Sequence, residues 1–332
     1  MKLRLCTVLL LAMTFMTNVS FAGNVHHHKK HHHKNHNHHI YHMNSSMLDV
    51  DSRVALIYDE QTQLSLYTKN TDVVVPIASI TKLMTAMVTL DANLPMDEMI
   101  TVGDGDPRLL RSKSRLKVGT VFTRSELLNL ALMSSENRAA LALAKSYPGG
   151  EVAFITAMNT KAITLSMITT RFFDPTGLDS NNVSTAEDLV KMVDAAQHYG
   201  LIHQYTTTSR RTLETLGRRP LQYHNTNPLV SDNTWDIGVS KTGFINKAGR
   251  CLVMQATIKD RRVIIVLLNS NGKKTRFADA TRVRQWIEKY KSPTSPIIHT
   301  PISYTPTLAL VDTNTDSACT ADHNYPTMVA LR

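Results

Sequence analysis

The chain has 332 residues, 42% of them apolar, and 37 Lys and Arg against 27 Asp and Glu give a formal net charge of +10. That is enough for one large core or two modest ones. The basic excess suits an acidic partner such as an anionic wall polymer, and the lack of a basic motif interleaved with aromatics sets nucleic acid aside.

The N-terminus reads as a secretory signal over residues 1–22. Lys2 and Arg4 precede a mostly apolar run from Cys6 to Met16, and Ser20-Phe21-Ala22 supplies small residues at a cleavage site. The run is too short for a transmembrane helix, so cleavage after Ala22 and a periplasmic location are expected. Cys6 lies inside the run rather than after a lipidation box, and no later stretch is long enough to span a bilayer. A low-complexity linker follows over residues 23–46. Ten of the fifteen histidines fall between Gly23 and His42. His26, His27, His28, His31, His32 and His33 are candidate ligands for Zn, Ni or Cu; the alternative is a solvated spacer whose charge rises as pH falls. No cofactor is expected in the catalytic domain, and no metal.

The folded domain is expected over residues 47–290. Val54–Tyr58 and Leu64–Tyr67 are strand-like and separated by a polar turn, which predicts a hairpin. Pro76 introduces a buried helix from Ile77 to about Leu90. Thr123-Arg124-Ser125-Glu126 is a capping-box pattern that opens a helix over Leu127–Met133. Arg138–Ser146 is a second helical stretch, stopped at Tyr147-Pro148-Gly149-Gly150. Val152–Leu165 and Ala186–Gln197 are further helices. Ile237–Thr242 alternates like a strand, and 250–257 and 263–268 predict a second hairpin. Phe277, Ala280, Val283, Trp286, Ile287 and Tyr290 recur at helical spacing and predict a closing helix. The fold class is therefore α+β (α/β): an antiparallel sheet from N- and C-terminal strands, packed helices, and a mostly helical subregion between. Residues 291–332 form a Pro- and Thr-rich tail without an amphipathic anchor. Cys251 is expected to be free and buried, although export would permit a bond to Cys319.

Three short motifs carry chemistry. In Ser79-Ile80-Thr81-Lys82, helical spacing brings the Lys82 amine to the Ser79 hydroxyl. A serine needs such a base to become a nucleophile, and lysine serves only if burial or a second cation lowers its pKa. In Ser135-Glu136-Asn137, residues two apart share a cleft only if the segment is a turn between helices. Ser135 could then relay a proton and Asn137 donate its amide to a substrate carbonyl. In Lys241-Thr242-Gly243, on a strand, Lys241 supplies the second cation and attracts a carboxylate. Thr242 hydrogen-bonds that carboxylate, and Gly243 admits a substrate backbone.

The ordered trio resembles the low-molecular-mass penicillin-binding proteins of the DD-peptidase and serine β-lactamase superfamily. The likeness extends through Pro76–Met87, Leu132–Ala140, Pro175–Leu178 and Lys241–Arg250. Glu136 and Asn225-Thr226-Asn227-Pro228-Leu229-Val230 resemble the D-alanyl-D-alanine endopeptidase branch, the penicillin-binding protein 7 type. The resemblance spans about Val54 to Tyr290. It implies that Ser79 attacks a D-Ala carbonyl, with Lys82 as base and Ser135 as relay. Asn137, Lys241, Thr242 and Gly243 would hold substrate, and the backbone N–H groups of Ser79 and Phe244 would form an oxyanion hole. The implied substrate is the D-Ala to diaminopimelate crosslink of peptidoglycan, with β-lactams as covalent inhibitors. The trio leaves open a D-alanyl-D-alanine carboxypeptidase. The absence of Glu between Phe172 and Ser184 argues against a β-lactamase. A metal-binding wall protein with a vestigial trio is the remaining alternative.

Overall fold

The computed structural model describes residues 48–103, 109, 114–213 and 220–289; the signal segment, the His-rich tract, Tyr290 and the tail lie outside them. In chain order, β1 (Val54–Asp59), β2 (Leu64–Lys69) and the short β3 (Val75–Pro76) lead into α1 (Lys82–Asp91). The helical subregion follows: β4 (Met99–Thr101), β5 (Val121–Thr123), α2 (Arg124–Met133), α3 (Asn137–Lys145), α4 (Gly150–Thr164), β6 (Val183–Ser184), α5 (Ala186–Gln197) and α6 (Gly200–Thr206). After β7 (Arg210–Leu213) and β8 (Leu221–His224), the chain closes with β9 (Asp236–Ile245), β10 (Gly249–Ile258), β11 (Arg261–Ser270) and α7 (Thr275–Lys289).

The main sheet has the order β2-β1-β11-β10-β9, and its pairings are antiparallel. The first hairpin is thus stitched to the last, with Val54 opposite Leu268 and Asp59 opposite Val263. Residues 251–256 of β10 and 263–268 of β11 are buried without interruption. Such runs need cover on both faces, and α5 and α7 both pack against these strands. The closing helix buries Ala280, Val283 and Ile287, while Phe277 and Trp286 are half-buried. Its Asp279 accepts from the Ser52 amide (2.8 Å) and hydroxyl (2.5 Å), tying the domain's first described residues to α7.

The capping box forms as the sequence predicts, with Thr123 and Glu126 exchanging side-chain bonds with each other's amides. The helix after Pro76 needs correction at its start. Ala78–Thr81 is a 3-10 turn, with Ala78 at φ +48°, and the α-helix begins only at Lys82. The cause is tertiary: two glycine backbones press on this turn. Helix α6 and the strands β3 to β8 were not legible, since pieces this short carry too few periods to read. Cys251 is free and buried, and burial pushes its thiol up to about 11, where it is unreactive.

Candidate active site

Ser79 sits in the 3-10 turn against the free edge of β9, the outermost strand of the sheet. Two glycines make this approach possible. A Cβ on Gly243 would lie 2.8 Å from the Ile77 carbonyl oxygen and 3.1 Å from the Ser79 nitrogen. A Cβ on Gly177, which has φ +80°, would lie 1.9 Å from the Ala78 carbonyl oxygen. Gly243 therefore has a reason beyond the one its motif suggested: its missing side chain lets the strand close on the serine turn.

Lys82, the first residue of α1, is fully buried. Its Nζ lies 2.9 Å from Ser79 Oγ, 2.7 Å from Asn137 Oδ1 and 2.6 Å from the Thr176 carbonyl oxygen. As an ammonium it donates to all three. As a neutral amine it has two N–H donors and one lone pair. The amide and carbonyl oxygens can only accept, so the lone pair falls to the Ser79 hydroxyl. Both protonation states fit this cage, and the proton that separates them lies on the Ser79–Lys82 line. Burial lowers the Lys82 amine to about 7, against an opposing pull from Asp174 and Glu136.

The sequence assigned part of that lowering to Lys241. In the structure burial is the largest cause at Lys82, and the repulsion between the two buried amines acts on both of them. Burial first, then Lys82, then Arg276, hold Lys241 well below its ordinary value. Two buried like charges resist joint ionisation, so the pair titrates as a unit. Lys241 Nζ donates to the Thr242 carbonyl (3.0 Å).

Ser135-Glu136-Asn137 is the expected turn, with Ser135 at φ +61° between α2 and α3. Glu136 is buried and accepts from the Arg138 amide, capping α3. Asn137, at the first position of α3, spends its oxygen on Lys82 and keeps its NH2 free of other described residues. Ser135 is half-buried and makes no hydrogen bond to a described residue, so the structure does not join it to Lys82, whose amine is filled by Ser79, Asn137 and Thr176.

Two further groups of residues shape the site without having been assigned a role from the sequence. Asp174, fully buried, accepts from the Gly177 amide (2.7 Å), the Thr176 hydroxyl (2.5 Å) and the Asn182 amide (2.8 Å). Asn182 in turn reaches Thr81 Oγ1 (3.1 Å), and its carbonyl accepts from the Ile77 amide (3.0 Å). This lattice aims the Thr176 carbonyl at Lys82. The signal was an Asp-Pro-Thr-Gly turn, legible as a turn but not as a site, because the working atom belongs to the backbone. The second group is Thr226 and Asn227. Thr242 Oγ1 donates to Thr226 Oγ1 (2.6 Å), Asn227 donates to Ser240 (2.8 Å), and the Thr226 amide donates to the Met133 carbonyl (3.1 Å). The segment clamps β9 to the end of α2, next to Ser135.

A hydroxyl beside a buried amine near neutrality, on a turn pressed to a strand edge, is equipped for nucleophilic acyl transfer. Comparison with known proteins agrees. The family model described as D-alanyl-D-alanine carboxypeptidase matches residues 40–272. The D-alanyl-D-alanine endopeptidase of Pseudomonas aeruginosa is 50% identical over 244 residues, 72% of this chain and 78% of that protein. That of Escherichia coli is 48% identical over 250 residues, 74% and 80% of the two chains. Among solved structures, a penicillin-binding protein from Listeria monocytogenes in its cefotaxime-bound form is similar, with TM-score 0.63 and 28% identity over 72% of this chain and 97% of that one.

Proposed function

The chain belongs to the D-alanyl-D-alanine carboxypeptidase family of serine DD-peptidases, and from that membership we propose that it is an endopeptidase acting on the D-Ala to diaminopimelate crosslinks of peptidoglycan through an acyl-enzyme on Ser79. The observation that carries the chemistry is the cage around Lys82, whose one free lone pair can only be directed at Ser79 Oγ. The high identity to two endopeptidases supports the choice of bond.

In this reading Ser79 Oγ attacks the D-Ala carbonyl carbon while its proton passes to Lys82 Nζ. The N–H groups of Ser79 and Phe244 stabilise the oxyanion. Once the tetrahedral adduct on Ser79 has formed and its contact with Lys82 is released, Lys82 passes the proton it took through Ser135 to the leaving diaminopimelate nitrogen, the C–N bond breaks, and Lys82 is neutral again. Water, deprotonated by Lys82, then attacks the ester and releases Ser79. Asn137 donates its free NH2 to substrate, while Lys241 and Thr242 hold a carboxylate. Gly243 keeps the strand close. A β-lactam, a cyclic mimic of the same amide, acylates Ser79; the cefotaxime-bound relative supports this. On this reading the enzyme works in the periplasm after loss of residues 1–22, and among the described residues no helix is long and apolar enough to cross a membrane.

Digestion of purified crosslinked muropeptide dimers, read by mass spectrometry, tests the choice of bond. Release of monomers supports an endopeptidase. Loss of single D-Ala units alone would leave the family and the mechanism in place and make the enzyme a carboxypeptidase.

A further inference from the structure

β9 and β10 place two side chains beside the site that acyl transfer leaves unused. Phe244 follows Gly243, whose backbone lies against the Ser79 turn, so its α-carbon is one step of about 3.8 Å further on. It shares its strand face with Thr242, since residues two apart point the same way. Phe244 is 49% exposed. Arg250 stands directly across on β10, with its guanidinium carbon 4.3 Å from the centre of that ring. A guanidinium laid on an aromatic face keeps its edge N–H donors available for a planar acceptor.

The charge around Arg250 is unbalanced. Arg211, Arg261, Arg282 and Arg284 each pair with a carboxylate. Arg250 has no carboxylate in salt-bridge reach among the described residues, and its side chain donates no hydrogen bond to one. Its electrostatic neighbours carry its own sign: the charge of Arg250 acts on Arg276, and that of Arg276 on Lys241. A run of cations beside a nucleophile, with Arg250 set over a ring and unpaired among the described residues, favours an anion there.

We infer that Arg250, held over the ring of Phe244, is a second anion subsite, binding a carboxylate of the peptide substrate additional to the one assigned to Thr242. The inference rests on the DD-peptidase reading, whose substrate contains the dicarboxylic diaminopimelate and so carries more than one carboxylate. Benzylpenicillin carries a single carboxylate and serves as the internal comparison. Stacking supplies orientation, and the planar fork supplies two parallel donors.

The test measures kcat and KM on crosslinked muropeptide dimers, and the second-order constant for acylation by benzylpenicillin, in wild type, Arg250→Gln, Arg250→Lys and Phe244→Leu. Arg250→Gln is expected to lower kcat/KM on dimers about tenfold more than it lowers penicillin acylation, mainly through KM. Arg250→Lys should recover part of the loss, because a point charge lacks the fork. Phe244→Leu, which keeps the backbone amide and removes the ring, should fall between. An equal fall in both reactions would show a structural role and overturn the subsite, as would wild-type kcat/KM on dimers in Arg250→Gln. Should wild type shed only D-Ala, the endopeptidase reading fails. The same comparison then runs on the uncrosslinked pentapeptide, where absence of the differential overturns the subsite.

Discussion

Thr176 presents its carbonyl oxygen 2.6 Å from Lys82 Nζ, on a turn that requires glycine at position 177. This contact, with that to Asn137, decides which way the lysine's lone pair can face. In the proposed mechanism the activation of Ser79 is therefore set by a backbone atom as much as by the lysine itself.

In the proposed mechanism acylation requires neutral Lys82. Burial holds that amine at about 7, and the neutral fraction of an amine grows as pH rises. The rate of acylation by a labelled penicillin should climb through about pH 7 and level off above it. Lys82→Arg, which stays protonated, should lose about a thousandfold or more throughout. A flat profile from about pH 5 to about pH 9 in wild type would refute Lys82 as the base.

Asp174 acts on that base from a distance. Its charge raises the Lys82 amine against burial, so Asp174→Asn should let the amine fall further and move the acid limb to lower pH. Asp174→Ala also strips the acceptor from Gly177, Thr176 and Asn182. It should cost about 2–4 kcal/mol of stability, seen as a drop in Tm. An unmoved acid limb in Asp174→Asn would remove the electrostatic role.

The two glycines should fail differently. In Gly177→Ala the new methyl would meet the Ala78 carbonyl at 1.9 Å in a left-handed conformation, so both folding and acylation should suffer, with about 2–4 kcal/mol lost. In Gly243→Ala the nearest atom is 2.8 Å away and the edge strand can shift. Stability should change by about 1–2 kcal/mol, while acylation falls about a hundredfold because a displacement of the order of 1 Å spoils the attack geometry. Matching losses of stability in the two variants would contradict this.

β-Lactams should inhibit rather than be consumed. No Glu lies between Phe172 and Ser184, and Asp174 is buried and committed to its own turn. The segment's other carboxylate, Asp179, accepts from the Asn181 amide (2.8 Å) in its own turn; with no Glu there to activate water, nitrocefin should give a burst of one equivalent and then stall. Sustained turnover would show that another group supplies the water.

The sheet, the capping box, α2 to α5 and α7 were legible because each spans several periods of its pattern. The motif trio was legible as residue types in order. What escaped was tertiary. The 3-10 turn at Ser79 is imposed by Gly177 and Gly243 from remote segments, and local pattern favoured an α-helix there. The Thr176 carbonyl has no side-chain signature. Thr226 entered only as part of a likeness, and its bond to Thr242 links segments sixteen residues apart. That burial would be the largest cause acting on both Lys82 and Lys241 is likewise something no spacing reports.

The proposed mechanism stands or falls on Ser79, activated by Lys82, being the acylated residue. Wild type, Ser79→Ala and Lys82→Arg treated with benzylpenicillin, digested and mapped by mass spectrometry test it most directly. A penicilloyl adduct is expected on the peptide containing Ser79 in wild type, none in Ser79→Ala, and a trace in Lys82→Arg. An adduct on any other residue, or one that persists in Ser79→Ala, would contradict it.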